Sequence, residues 1–479
     1  MNHHPDPVGF EAMEYRSDGS FETRLYRLEG SSEAGWRVFR NDELHLSFGK
    51  GYVLLRARSC GVCSTDLARR FLPFPLPQII GHEVLAVDQA NRRFVAEINA
   101  SHRALGQDEV ECAYCDHGLP THCPQRRVLG IHDLPGGFGP FLLAPRKGIF
   151  EVPEQVSDAN AVLMEPFAAA LHAARTILPQ EPRSIAVLGT RRLGLLTIAA
   201  LAAERRRQDL SFRLIGLSHH ENLQRMARAL GADEAIAPPK PPATEPIADI
   251  VVDTTGNPQG LELAIALADK EVHLKSTHGQ SAVELDHLTE AVVDEIELGT
   301  FQSRVPQSYE RLCFGSSTRP IVLWQSQEPI PEWMDEALDC VQEEDPHRAR
   351  SALAHQRPEL PAADLAVVDH AAGVDRALRP WPNQEEGLVR ARGRIEVNGI
   401  SASDGPLLQA LAQRNLELST SRCGDFKQAL ALLENDPELS RELPRLITHH
   451  LRADQLSEAF EIAQGPDSIK VVVEHEPHE

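Results

Sequence analysis

From residue 185 onward, short apolar runs alternate with helical stretches, and this alternation limits the possible fold more tightly than anything else in the chain. Ile185-Ala186-Val187-Leu188 has the pattern of a buried strand and runs into Gly189; Gly194 follows, then the apolar helix "LLTIAALAAERR". "FRLIGL" (212–217), "ADIVVDTTG" (248–256) and "EVHLKSTHG" (271–279) are further strand patterns, and "ENLQRMARALGAD" (221–233) is helical. Parallel strands need a crossover long enough to hold a helix, so the series predicts a doubly wound parallel sheet of the α/β class.

The first turn of that series has the setting of the dinucleotide fingerprint G-x-G-x-x-G, where backbone N–H groups and a helix N-terminus receive a pyrophosphate. Here it reads Gly189, Thr190, Arg191, Arg192, Leu193, Gly194, so the outer glycines are kept and the middle one is an arginine. Two readings stay open. Arg191 turns outward and pairs with a phosphate, replacing close backbone approach by a charge contact, or its side chain closes the pyrophosphate seat. An NAD site also wants an acidic residue at the end of the second strand for the ribose hydroxyls. This chain offers Leu217, Ser218 and His219. A small polar residue followed by potential cations suits a 2'-phosphate, which favours NADP over NAD.

The net charge of −22 runs against a nucleic-acid binder and against an anionic membrane surface. No run of about 18 apolar residues occurs, and the opening "MNHHPDPVGFEAMEYRSDGS" lacks an apolar signal core, so a cytoplasmic protein is expected. At 479 residues there is room for two or three domains. Five of the eight cysteines, Cys60, Cys63, Cys112, Cys115 and Cys123, fall within 64 residues. Clustering of this kind in a large chain points to metal or redox chemistry rather than a disulfide framework.

Taken alone, Cys60-x-x-Cys63 is a redox pair, a zinc half-site or two buried small residues, and His82-Glu83 or Glu165-Pro166 says little. Their order says more. "SCGVCSTDL" (59–67), "IIGHEV" (79–84) and "LMEPFAAALHAA" (163–174) ahead of the glycine turn resemble the zinc-dependent medium-chain dehydrogenase family of alcohol, polyol and threonine dehydrogenases. The resemblance covers roughly residues 35 to 304 and resumes from "STSRCGDF" to the C-terminus. It implies that Cys63, not Cys60, is the thiolate ligand of a catalytic zinc, with His82 and Glu165 as the other protein ligands and Glu83 as a candidate alternate. One thiolate, one imidazole and one carboxylate suit zinc with a fourth position left open. Asp66 would orient His82, and Thr65 would pass a proton outward from the substrate hydroxyl.

The family also carries a structural zinc lobe with four ligands spaced x2, x2, x7. Cys112-x2-Cys115-x7-Cys123 fits three of them, and counting back from Cys112 places Glu109 in the first position. A carboxylate can ligate zinc; a loop that has lost its metal is the other reading. His117 and His122 are possible stand-ins of poorer spacing.

The stretch after residue 304 repeats what precedes it. "RLIGLSHHENLQRMARAL" resembles "RPIVLWQSQEPIPEWMDEAL" (319–338), "ADIVVDTTG" resembles "ADLAVVDHAAG" (363–373), and "EVHLKSTHG" resembles "GRIEVNGIS" (393–401). "LTEAVVDEIELGTFQSR" resembles "LLQALAQRNLELSTSR" (407–422). Four matches in order point to duplication, without a second glycine turn.

The resulting expectation is a GroES-like β-rich zinc domain over 1–170, completed by 416–479; a Rossmann domain over 171–304; and an inserted α/β lobe over 305–415. The expected function is hydride transfer between an alcohol, polyol or sugar hydroxyl and NADP or NAD, in a homo-oligomer without nucleic-acid or membrane partners. The competing class is a catalytically silent zinc-binding paralogue used as scaffold or ligand sensor.

Overall fold

The computed structural model describes residues 7–476 apart from 73, 241–244, 277–280, 302–308, 316, 318, 382–385 and 400–403. Residues 277–279, 302–304 and 400–401, the ends of three repeat segments, thus lie outside the described residues. The chain divides into two compact units, residues 1–169 with 423–479, and residues 170–422.

In the first unit, a four-stranded antiparallel meander (Val8–Tyr15, Phe21–Ser31, Gly35–Arg40, Glu43–Phe48) precedes a seven-stranded sheet. The long strand Tyr52–Val62 pairs antiparallel with Glu83–Val87, Phe141–Pro145 and Lys470–Glu474. Val84, Leu85, Ala86 and Val87 and, from the C-terminal strand, Val471, Val472 and Val473 are nearly inaccessible. Strands buried on both faces read as unbroken apolar runs, as these do. The antiparallel register sets Gly61 opposite Glu83, which brings the residue after one strand, Cys63, beside the residue before the other, His82.

The second unit is built on one eleven-stranded sheet. Its strands are β1 (Ser184–Leu188), β2 (Arg213–Leu217), β3 (Glu234–Ile236), β4 (Ala248–Asp253), β5 (Ala268–Leu274), β6 (Glu297–Thr300), β7 (Ile321–Gln325), β8 (Asp339–Gln342), β9 (Ala363–Val368), β10 (Val389–Val397) and β11 (Glu417–Thr420). The order is β3-β2-β1-β4-β5-β11-β6-β10-β9-β7-β8. Every neighbouring pair is parallel except β6 with β11, which meet antiparallel at Leu298 and Leu418.

Residues 305–415 therefore form no body of their own: their strands extend the sheet that begins at β1. The unit also runs on to Arg422, beyond the boundary read from the sequence, because β11 hydrogen-bonds to β5 instead of joining the C-terminal segment. One apolar core joins both ends of the sheet, with Val272, Leu298, Ile395 and Leu418 all fully buried in it.

Candidate functional site

Cys63 is the N-cap of the five-residue helix Ser64–Ala68. Its sulfur accepts the Thr65 N–H at 3.1 Å, and its own N–H donates to Asp66 Oδ2 at 2.9 Å, a reciprocal capping box. The cap fixes the thiol and the carboxylate on one turn, facing His82. The His82 ring is buried, with Nε2 at 3.0 Å from Cys63 Sγ and Nδ1 at 3.4 Å from Asp66 Oδ1. Burial acts to lower the imidazole, but the charges of Cys63 and Asp66 outweigh it and hold His82 well above its usual value.

Nε2 thus faces the thiol, and Nδ1 lies near the carboxylate, with Nδ1 and Oδ1 both buried and without a hydrogen-bond partner, so the ring is open to a metal on one side and to an orienting acceptor on the other. A zinc with bonds of about 2.0–2.3 Å fits between Sγ and Nε2 once they separate by roughly 0.5 Å. Cys63, Asp66 and His82 form one of the two metal-capable groups among the described residues. Glu165 is not in it; it lies half-buried in the first turn of the helix Met164–Ile177. Glu83 is not in it either: its carboxylate is bound by Lys470 Nζ. Cys60 lies fully buried in the strand, its sulfur packed against Gly81 and Gly137. Thr65 is half-buried beside the thiol.

The second group is His102, Cys112, Cys115 and Cys123, whose ligand atoms all lie within 4.8 Å of one another. Glu109, expected in the first position, is exposed and outside the group. The reason is local: Gly106, Gln107, Asp108 and Glu109 are exposed, so counting back from Cys112 leads to the surface. His102, just after the short strand Asn99–Ala100, stays buried with Nδ1 at 3.3 Å from Cys123 Sγ. Its Nε2 is buried without a hydrogen-bond partner. One imidazole and three thiols are a tetrahedral zinc donor set. Burial and the neighbouring Cys123 and Cys112 push the Cys115 thiol up, so this sulfur is costly to keep as a free thiolate. His117 and His122 are outside the group. Sequence spacing missed His102, which lies ten residues before Cys112 and two after the short strand Asn99–Ala100.

In the second unit, the turn after β1 keeps the geometry that its glycines require. Gly189 has φ +87°, and a Cβ there would press on Thr255 at 3.0 Å. At Gly194 a Cβ would stand 2.6 Å from Gly189 O. Arg191 is the N-cap of the helix Arg192–Gln208, its N–H donating to Gly189 O at 2.7 Å. Thr190 is buried and donates to Leu217 O at 3.4 Å, while Arg191, Arg192 and Leu193 are half-buried. At the end of β2, Ser218 is buried and its hydroxyl accepts the His220 N–H at 3.3 Å; His219 is exposed.

The alcohol dehydrogenase GroES-like domain family matches residues 49–154, which include Cys63, His82 and the whole second metal-capable group. Over these residues the chain carries an alcohol dehydrogenase GroES-like domain, and its relatives include polyol and threonine dehydrogenases. It is 27% identical over 267 residues to starvation-sensing protein RspB of Escherichia coli, spanning 53% of this chain and 77% of that protein. It is 27% identical to sorbitol dehydrogenase of Bacillus subtilis and 26% to L-threonine 3-dehydrogenase of Rhizobium etli, spanning 64% and 60% of those proteins and 45% and 39% of this one. Among solved structures, L-idonate 5-dehydrogenase of Escherichia coli superposes with a TM-score of 0.56 at 12% identity, over 98% of this chain and 99% of that one. A putative zinc-binding dehydrogenase of Sinorhizobium meliloti bound to NADP gives 0.53 at 16% identity, over 98% and 99%. These likenesses agree with a GroES-like domain joined to a Rossmann sheet. No helix among the described residues is long and apolar enough to cross a membrane.

Proposed function

We propose that this chain is a medium-chain family member that moves hydride between a small alcohol, polyol or sugar hydroxyl and a nicotinamide dinucleotide, with zinc at Cys63 and His82. The observation that carries the reading is the His82 ring held between the Cys63 thiol and the buried Asp66 carboxylate. Zinc bound there supplies Lewis-acid polarisation of a hydroxyl, and the dinucleotide supplies the hydride acceptor. The chain's own residues do the rest. Asp66 fixes the tautomer and plane of His82. Glu165 is the third protein ligand carried over from the family pattern. The Thr65 hydroxyl, on the turn beside Cys63, would accept the proton that leaves the substrate hydroxyl while releasing its own outward to solvent.

Gly189, Thr190 and Gly194 seat a pyrophosphate against the N-terminus of the helix Arg192–Gln208, where N–H groups and the helix dipole favour negative charge. Arg191, with Arg192 and Leu193 beside it, offers a charge contact to that phosphate. Ser218 and the exposed His219 at the end of β2 leave room for a 2'-phosphate, so NADP is preferred to NAD. His102, Cys112, Cys115 and Cys123 hold a separate structural zinc. Thiols gathered at two metal sites suit a reducing compartment, the cytoplasm.

Dehydrogenases among the relatives support catalysis over a silent scaffold. Titration with NADPH and NADH, read by nicotinamide fluorescence, followed by a panel of polyols with the zinc-loaded protein, tests the reading. NADPH binding tighter than NADH, with turnover of a polyol, is expected. Failure to bind either dinucleotide makes the scaffold the function.

A further inference from the structure

The sheet of the second unit is nearly a palindrome. From its two outer edges the order runs β3-β2-β1-β4-β5 and β8-β7-β9-β10, and each series is followed by the last strand of the other: β11 lies beside β5, and β6 beside β10. Apart from β1, strands β2–β6 correspond one to one with β7–β11. Local detail follows the same correspondence. The β4–β5 pairing slips after Ala248, and the β9–β10 pairing slips after Ala363. The next residues, Asp249 and Asp364, are both buried and accept backbone N–H groups at the start of the adjoining strand, Arg183 at 3.0 Å and Ile321 at 2.8 Å.

The correspondence maps Leu298 onto Leu418, and these two face each other across the antiparallel contact. Equivalent residues pair with each other only on a two-fold axis, the geometry by which identical copies join. The two series are not interchangeable there. Buried Arg394 reaches Glu297 at 3.1 Å and Glu417 at 3.1 and 3.2 Å, passing over Gly299, where a Cβ would collide with its guanidinium. In the register, Glu271 is the counterpart of Arg394, and Ser419 the counterpart of Gly299. Two copies of the first series would gather Glu271 and Glu297 twice over, with no arginine among them. Two copies of the second would put Ser419 where Arg394 has to pass. Only the mixed pair satisfies both constraints.

We propose that β7–β11 and their helices are a built-in partner: they take the place a second copy of this chain would occupy on the dinucleotide-binding half, and close that surface to other copies. The outer edges agree with this. β3 has three residues and β8 four, with Glu234 and Asp339 on them, and short charged edges resist further pairing. The single-chain pair replaces, at this surface, the homo-oligomer expected from the sequence.

Leu298→Cys combined with Leu418→Cys tests the seam, because directly opposed antiparallel residues stand about 4.5–5.5 Å apart at Cα, within disulfide reach. After mild oxidation the 298–418 cross-linked peptide is expected inside a single chain of 52.9 kDa. A cross-link that joins two chains, or none in a folded protein, overturns the proposal. Should the double variant not fold, the unmodified chain decides. Amide exchange of β6 and β11 is expected to be slow and independent of protein concentration, and protection that grows with concentration overturns the built-in partner.

Discussion

Lys470 and Glu83 form a closed pair: Nζ lies 2.7 and 2.5 Å from the two carboxylate oxygens, and both side chains are almost fully buried. Lys470 opens the C-terminal strand, Glu83 follows His82, and Nζ also donates to Val62 O at 3.3 Å, one residue before Cys63. The pair therefore ties the chain's last strand to both candidate zinc ligands. Removing one partner leaves a buried charge alone, at a cost of about 3–5 kcal/mol. Lys470→Met is expected to lower the urea midpoint accordingly, and adding Glu83→Gln to recover much of the loss. An unchanged midpoint in the single variant would count against the pair.

In the proposed site Asp66 orients the His82 ring, its Oδ1 lying 3.4 Å from Nδ1. Asp66→Ala is expected to weaken zinc binding at the Cys63 site about 10–100-fold, measured by chelator competition. Cys63→Ala should lose that equivalent of zinc altogether. Equal affinity in Asp66→Ala would remove its orienting role.

His102 and Glu109 make opposite predictions for the second metal centre. His102→Ala is expected to lose one equivalent of zinc and shift the charge-transfer bands of the cobalt-substituted protein. Glu109→Ala, at an exposed position, is expected to leave both unchanged. The reverse result would return the carboxylate to the site.

Arg191 caps the helix that would receive the pyrophosphate. Loss of one hydrogen bond to a charged group costs roughly 1.5–3 kcal/mol, so Arg191→Gly is expected to weaken NADPH binding about 10- to 150-fold in a fluorescence titration. Binding that appears only in the variant means that the arginine closes the seat.

Glu271 gives a pH signature. Burial raises its carboxyl to about 7, Ser419 and Gln180 oppose the rise, and the nearby charges of Glu417 and Glu297 add to it. The folded chain keeps a proton that the unfolded chain has already lost, so stability is highest below the unfolded value and falls as pH rises to about 7. Glu271→Gln removes this loss and should raise stability at pH 7.5 by about 1–3 kcal/mol while changing little at pH 4. Parallel denaturation curves at both pH values would contradict it.

Local chemistry explains what could be read in advance. The unbroken apolar run of β1, a glycine forced to positive φ at 189 and a small residue required at 194 are dictated within a few residues, and so was the turn. Cys63, Asp66 and His82 were singled out through a family resemblance, and one cap and one antiparallel register bring them together. Spacing failed at His102 because a short count back from Cys112 stops at exposed Glu109, whereas the fold brings the buried His102 to the three cysteines. The exchange of β6 and β11 was illegible for a different reason. "ELGT" and "ELST" carry the same apolar pattern, so either strand fits either slot, and the choice rests on Arg394, Gly299 and Ser419, contacts made far along the chain.

The exchange also orders events in time. The half of the sheet that starts at β1 lacks the strand beside β5 until Glu417–Thr420 has been made, although β5 itself ends at Leu274. At synthesis rates of about 5–20 residues per second, that edge stays bare for on the order of ten seconds or more as the chain leaves the ribosome. During that wait β6 is already available, carries the same pattern and can lie in the empty slot. Correct assembly then requires β6 to give way when β11 arrives, so a chain whose synthesis stopped before Glu417 would hold a plausible but wrong sheet.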